Sequence, residues 1–307
     1  YDSVSFSFAP QTTTAYAMVF NNDGTKMYVS GQASYDIFQY TLTTPFNVGT
    51  ASYDSVLYSF YPTTPEGNPQ ALLFNADGTK MYMAGYWDDF IYEHDLTTGF
   101  DLSTASYNSV SFDTSAQITG SERGMAFNND GTKLYLLARV GELIYQYSMT
   151  NPYDISSLSY DSVSFTVGPQ GTDSRGLAFN AFGTKMYVAN QQNDKVYQYS
   201  LSPAFDLSSA SYDSVSFSFA SQGTMPEVLK FSSDGTKMFV LDRTNSRVYQ
   251  YSTVGSTTAI VTYPSSVKFP ASTPPVSPDL GKVGTLGIYT VDGGVNYFVN
   301  FVANNQN

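Results

Sequence analysis

The chain has 307 residues, 13% of them charged and 16% aromatic, with no cysteine and a net charge of −12. That charge excludes a nucleic-acid binder, which needs a basic footprint to release counterions, and argues equally against an anionic membrane surface. Without cysteine there is no disulfide framework and no thiolate chemistry.

In chain order, the first eight residues, YDSVSFSF, alternate like a half-solvated strand, with Val4 and Phe6 on one face and serines on the other. An apolar run ending at Phe20 follows, then an Asx–Gly hairpin signal, NNDGT, and a second apolar strand, Met27-Tyr28-Val29. A third strand, Ile37 to Tyr40, leads through a connector, Thr43 to Ser52, into another copy of the opening phrase over 53–60. The unit then repeats. The turn glycine recurs at Gly24, Gly78, Gly131, Gly183 and Gly235, at intervals of 54, 53, 52 and 52 residues.

Each unit predicts four strands, a to d, with burial falling steadily from the first to the last. A gradient of that kind suits a blade whose first strand lines a crowded axis and whose last faces water. The expected fold is therefore all-β, a five-bladed β-propeller of four-stranded antiparallel blades. Five a–b–c units match five d strands only if residues 1–8 complete the last blade beside Val248 to Tyr251, closing the ring and removing an exposed edge. The competing candidate for that place is Thr262 to Phe269 (TYPSSVKF), which echoes the same phrase. The propeller is expected over 1–269. Residues 270–307 read as a Pro-rich linker and a β-hairpin, Leu286 to Val291 and Val295 to Val302, suited to docking on another subunit or assembly.

No run of 18 apolar residues predicts a transmembrane helix, so no membrane insertion is expected. No signal peptide is read in these residues, and the opening in mid-motif at Tyr1 leads us to expect a processed or truncated start from which any export signal has been lost. A Cys-free, acidic chain rich in Ser, Thr, Tyr and Asn points to a cell or virion surface.

The pattern [AG]-[ML]-x-F-[NS]-x-D-G-T-K-[ML]-[YF]-[VLM] resembles the YVTN/lactonase-like and NHL-like propeller repeats over residues 1–252. The resemblance implies the fold and leaves function open, since such propellers host many roles. This chain departs from those repeats in having Asn or Ser, not Pro, before the turn, and in its long c–d connectors.

The turn aspartates invite a calcium reading, but one carboxylate per loop is too few and Phe182 replaces it in the fourth unit, so an Asx-type turn is expected and no metal or cofactor. The five turn lysines, Lys26 to Lys237, are expected to lay their stems over the next blade. His94, the only histidine, stands where other units carry Tyr, and reads as packing. Glu66, Glu122 and Glu227 precede strand a at comparable places and leave a carboxylate-based hydrolase as the alternative function.

The a–b turns and c–d connectors share one end of a blade and are nearly copied from unit to unit. The b–c and d–a loops share the other end and diverge. That face is where a glycan or protein partner is expected, through Tyr35, Tyr86, Trp87, Asp88, Glu122, Arg123, Arg139, Arg175, Asn193 and Arg243. The favoured reading is a non-catalytic binding, adhesion or structural module.

Overall fold

The computed structural model describes residues 1–253 apart from 33, 66 and 67, together with the strand backbone at 267–268, 285–289 and 297–303. Two compact units divide the chain, Tyr1–Thr253 and Val254–Asn307.

The first unit is a five-bladed propeller. Blade one is Ala15–Phe20, Lys26–Gly31, Asp36–Leu42 and Ala51–Ser59, hydrogen-bonded in that order. Blades two, three and four repeat it from Pro69–Phe74 to Ala105–Asp113, Glu122–Phe127 to Leu158–Thr166, and Ser174–Phe179 to Ser211–Ser218. Blade five takes Pro226–Phe231, Lys237–Asp242 and Arg247–Ser252 from the end of the unit and its outer strand, Val4–Ser7, from the beginning. The seam pairs Val4 with Gln250 and Phe6 with Val248, as the strand count predicts. Neighbouring inner strands touch all the way round, the last against the first. The rival segment is placed elsewhere: Val267–Lys268 pairs with Tyr297–Phe298 in the second unit. There Thr285–Tyr289 and Tyr297–Ala303 form the expected antiparallel pair. The Pro-rich stretch and the docking expected of the tail lie outside the described residues.

Side chains at the seam add to the ladder. Phe8 is fully buried. The Asp2 carboxylate accepts from Lys237 Nζ at 2.8 Å, Gln250 Nε2 at 3.1 Å and the Ser252 amide at 2.7 Å. Burial opposes ionisation of Asp2, but these donors outweigh it and lower the pKa to about 2.

Blades pack through aromatic pairs. The second-strand ring of each blade meets the inner-strand Phe of the next: Tyr28 with Phe74 at 4.7 Å, Tyr135 with Phe179 and Tyr187 with Phe231 at 4.6 Å, and Phe239 with Phe20 at 4.6 Å around the seam. Small residues bring the inner strands together: a Cβ on Gly176 would lie 2.6 Å from the Leu229 nitrogen.

Burial does not fall steadily from strand a to strand d. The first three strands are almost wholly buried, and the step comes at the fourth. Third-strand polar residues are buried because they bridge blades. Gln39 donates to Asp54 in its own blade and accepts from the Leu102 amide, 3.0 Å away, in the next. Gln146 and Gln250 do the same with Leu207 and Val48. The outer strands are also less regular than their alternation suggests. The first four carry a serine at positive φ, 58° to 66° at Ser55, Ser109, Ser162 and Ser214, in a bulge beside the third strand, and Ser3, just before Val4–Ser7, has a φ of 59°.

The turn lysines pair mainly within their own blade, contrary to the expected reach over the next one. Lys133, Lys185 and Lys237 contact Asp161, Asp213 and Asp2 on the outer strand, and Lys80 contacts Glu93 and Asp95. Only Lys26 among them reaches the next blade, at the Phe100 carbonyl. The turn aspartates behave as Asx turns. Asp23 accepts from the Thr25 amide at 2.9 Å and its hydroxyl at 2.6 Å, and Asp77 and Asp130 repeat this with Thr79 and Thr132.

His94 is fully buried between Tyr58 and Tyr107, at centroid distances of 5.3 and 5.4 Å. Neither ring nitrogen has a hydrogen-bond partner of good geometry among the described residues. Burial pulls its pKa down to about 4, against a smaller upward push from the Met81 backbone and Asp95. Unfolded histidine takes up its proton near pH 6.5 while the native ring stays neutral until about pH 4, so acid favours the unfolded chain across that window. The linkage is worth up to about 3 kcal/mol. Urea melts from pH 7 to 4 should show this loss in wild type and a flatter dependence in His94→Phe. Parallel profiles would refute the assignment.

Candidate functional site

The a–b turns and c–d connectors do share one face, as Phe46 N–H to Gly24 O and Tyr153 N–H to Gly131 O record. The b–c and d–a loops share the other. Their sequences differ, yet all five blades share one backbone bond: Tyr35, Asp89, Glu142, Asp194 and Ser246 each accept from the residue just past an outer strand. Part of the divergence is thus in side chains carried on a common frame, on which Tyr35 and Glu142 adopt φ of 58° and 51°.

Two groupings stand on this face. The first is aromatic, where the loops of blades one and two meet. Tyr35, Tyr61 and Trp87 form a three-membered cluster, with centroids 5.0 Å (Tyr35–Tyr61), 5.9 Å (Tyr35–Trp87) and 6.1 Å (Tyr61–Trp87) apart. Tyr61, Trp87 and the adjacent Tyr86 are 44%, 48% and 45% exposed. Sequence reasoning named three of these four and missed Tyr61, whose only signal is its place just past an outer strand. Asp88 is half-buried beside them and accepts from the Tyr92 hydroxyl; burial raises its pKa, with Asp89 adding to the effect.

The second grouping surrounds the axis. Tyr16, Gln70, Arg123, Arg175 and Glu227 occupy the same inner-strand position in the five blades, one residue after the start of the strand. Glu227 is clamped, with Arg175 Nη1 at 3.0 Å and Arg243 Nε at 2.9 Å. Arg175 also meets Asp173 at 2.9 Å. Arg243 donates to the Tyr16 hydroxyl at 2.7 Å and lies over that ring at 4.9 Å. Burial pushes the Glu227 carboxyl up to about 7, with both guanidiniums pulling it back. The space left beside this grouping, between the inner strands, is about 10 Å³, room for about one water.

This geometry redistributes the expected contacts. Arg175 is buried and spent on Glu227 and Asp173, and Arg243 on Glu227 and Tyr16. Arg123 is 5% exposed, and Arg139 is exposed. Asn193 ties two loops together through Gln170 O at 2.8 Å and Tyr197 Oη at 3.1 Å. Glu122 is fully buried and accepts from the Thr114 hydroxyl. It faces Ala138 across the ladder, as Pro226 faces Asp242, so Glu122 and Glu227 are one residue out of register. Glu66 lies outside the described residues. No group of three or more potential metal ligands occurs among the described residues.

No family model and no curated protein matches the chain. Solved structures do. A protein from Bacteroides uniformis, named provisionally as a 6-phosphogluconolactonase, aligns at 14% identity over 75% of this chain and 64% of its own, with a TM-score of 0.46. The periplasmic gluconolactonase of Pseudomonas aeruginosa aligns at 14% identity over 77% and 65%, with a TM-score of 0.43. A functionally unknown protein from Desulfotomaculum acetoxidans aligns at 9% over 78% and 82%, with a TM-score of 0.48. The likeness is one of fold. This chain spans less than two thirds of the first two, and neither their chemistry nor their substrates carry over.

Proposed function

We propose that the protein is a non-catalytic binding or adhesion module of a cell-surface or virion assembly, recognising a glycan or a protein through the face formed by its b–c and d–a loops. One observation carries this reading: the exposed cluster of Tyr35, Tyr61 and Trp87, with Tyr86 beside it. Rings held against one another, with Tyr61 and Trp87 exposed, offer flat apolar surfaces with polar rims, the chemistry that stacks on sugar rings and on partner side chains. Their neighbours bring rigidity, because the loop frame is fixed by the shared backbone bond.

A hydrolase is the second reading, favoured by the raised pKa of Glu227 at the axis. Against it stand the two arginines that hold both carboxylate oxygens.

Trp87 is the only tryptophan, so its emission reports on this cluster alone. Glycans positive on an array should shift that emission saturably, and Trp87→Ala should weaken them tenfold or more, about 2 kcal/mol, with the melting temperature unchanged. Binding indifferent to Trp87→Ala and Tyr61→Ala together would sink the proposal. Turnover of a lactone or glycoside, lost in Glu227→Gln, would replace it with the second reading.

A further inference from the structure

Four of the five blade junctions are closed by the same device, which the fifth lacks among the described residues. At a complete junction a third ring, from the c–d connector, packs on the interblade aromatic pair: Phe100 on Phe74 at 5.4 Å, Tyr153 on Phe127 at 5.2 Å, Phe205 on Phe179 at 5.5 Å and Phe46 on Phe20 at 5.7 Å. Each plug sits at positive φ, 54° to 62°, over its own turn glycine. A Cβ on Gly183 would lie 2.1 Å from Phe205, whereas one on Gly235 would meet nothing within 4 Å. Between blades four and five, Tyr187 and Phe231 have no third ring among the described residues.

The polar half of the device is missing at the same place. Tyr28, Tyr82 and Tyr135 donate to the carbonyls of Phe100, Tyr153 and Phe205, and Gln39, Gln146 and Gln250 accept from the connector amides of Leu102, Leu207 and Val48. Among the described residues no such bond reaches Tyr187 or Gln198. The connector turns also cover the preceding outer strand in four cases; among the described residues none covers Ser211–Ser218. Accordingly Val215 is 49% exposed, while Val4, Val56, Val110 and Val163 are partly buried.

The gap follows from the closure. Blade five takes its outer strand from the start of the chain, so no connector joins its third and fourth strands. In sequence, Thr257 and Ala259 stand six and eight residues after Tyr251, where the other units carry Phe or Tyr and then Val, Leu or Ile. Among the described residues a cavity of about 840 Å³ runs from the turn-side mouth of the axis, past Phe231 and Lys230, to Tyr187, Gln198 and Val215.

We propose that this groove binds a polypeptide segment of another molecule with the character of the four connectors, an aromatic residue followed by Asn or Asp and then an aliphatic one. The aromatic would complete the ring trio, the segment's backbone would meet Tyr187 and Gln198, and its aliphatic residue would cover Val215. Lys230 lines the groove with no carboxylate within ion-pair distance among the described residues, which favours an acidic residue in the segment. This surface is independent of the aromatic cluster on the opposite face.

A fluorescein-labelled peptide of sequence SPAFDLSSAS, taken from residues 202–211, can be titrated into the full chain by fluorescence polarisation. Saturable binding is expected, weakened at least tenfold by Phe→Ala in the peptide, and by Val215→Asp and Gln198→Ala in the protein. Val215 is half-exposed, so Val215→Asp should melt like wild type, which separates lost binding from lost folding. No saturation up to about 1 mM peptide, the weak end of measurable affinity, overturns the proposal. So does binding indifferent to Val215→Asp. Sedimentation showing self-association abolished by Val215→Asp would assign the groove to a second copy instead, and equally overturn it.

Discussion

A chain lacking residues 1–8 should lose its cooperative melt and scatter light at temperatures where the full chain stays clear. Three losses coincide in that deletion. The third strand of blade five, Arg247–Ser252, becomes an unpaired edge of the kind that templates aggregation. Phe8 leaves a fully buried site, which for a Phe-to-Ala change alone costs about 3–5 kcal/mol. Asp2 no longer gathers Lys237, Gln250 and the Ser252 amide. Against a typical stability of about 5–15 kcal/mol, the sum removes most of what holds the ring. Circular dichroism with parallel light scattering reads both effects, and adding the peptide YDSVSFSF should partly restore the transition. An unchanged melt would mean that another segment, such as TYPSSVKF, can take the place of the first strand.

Glu227→Ala should cost about 3–5 kcal/mol in urea unfolding, more than any substitution on the loop surface, because it strands two guanidiniums. Arg175 is buried and keeps only Asp173, while Arg243 falls back on Tyr16. Replacing the whole cluster with apolar residues of similar volume, Glu227→Leu with Arg175→Met and Arg243→Met, should recover much of that loss, since a buried ion network offsets its own desolvation only while complete. A Glu227→Ala variant as stable as wild type would show that the arginines gain nothing from it. Glu227→Gln separates charge from shape: it keeps an amide oxygen for one arginine and should fall between the two.

Strand order and ring size were legible because each rests on local, repeated signals: the Asx–Gly turn, the Tyr-rich strands, and an opening phrase that matched no preceding unit. The seam followed from counting. What stayed hidden were interactions between residues about one repeat apart. Gln39 looks like an ordinary strand polar residue until the Leu102 amide, in the next blade, is seen to need an acceptor. Bulge serines such as Ser55 carry no distinguishing mark, because the surrounding alternation looks unbroken. Arg123 and Arg175 were named for exposure they do not have. A usable signal existed, in that they share one repeat position with Gln70 and Tyr16 inside an otherwise uniform strand. Variation at a fixed inward position marks an asymmetric core network as readily as a binding face. For Glu122, one residue of register separates a loop brace from the axis, and spacing to the next Phe would have shown it.

Tyr1 and Thr253 lie at the same end of two neighbouring antiparallel strands, with the Tyr1 ring 5.7 Å from that of Tyr251. Tension applied between those two positions bears on the seam bonds one after another, as when a zip is drawn, and does not spread the load across the whole ladder. Heat must disrupt Phe8, the Asp2 network and the pairing together, whereas a pull meets them in turn, beginning with Asp2. The join that makes the ring thermally sound is therefore also the place where it parts most readily under mechanical force.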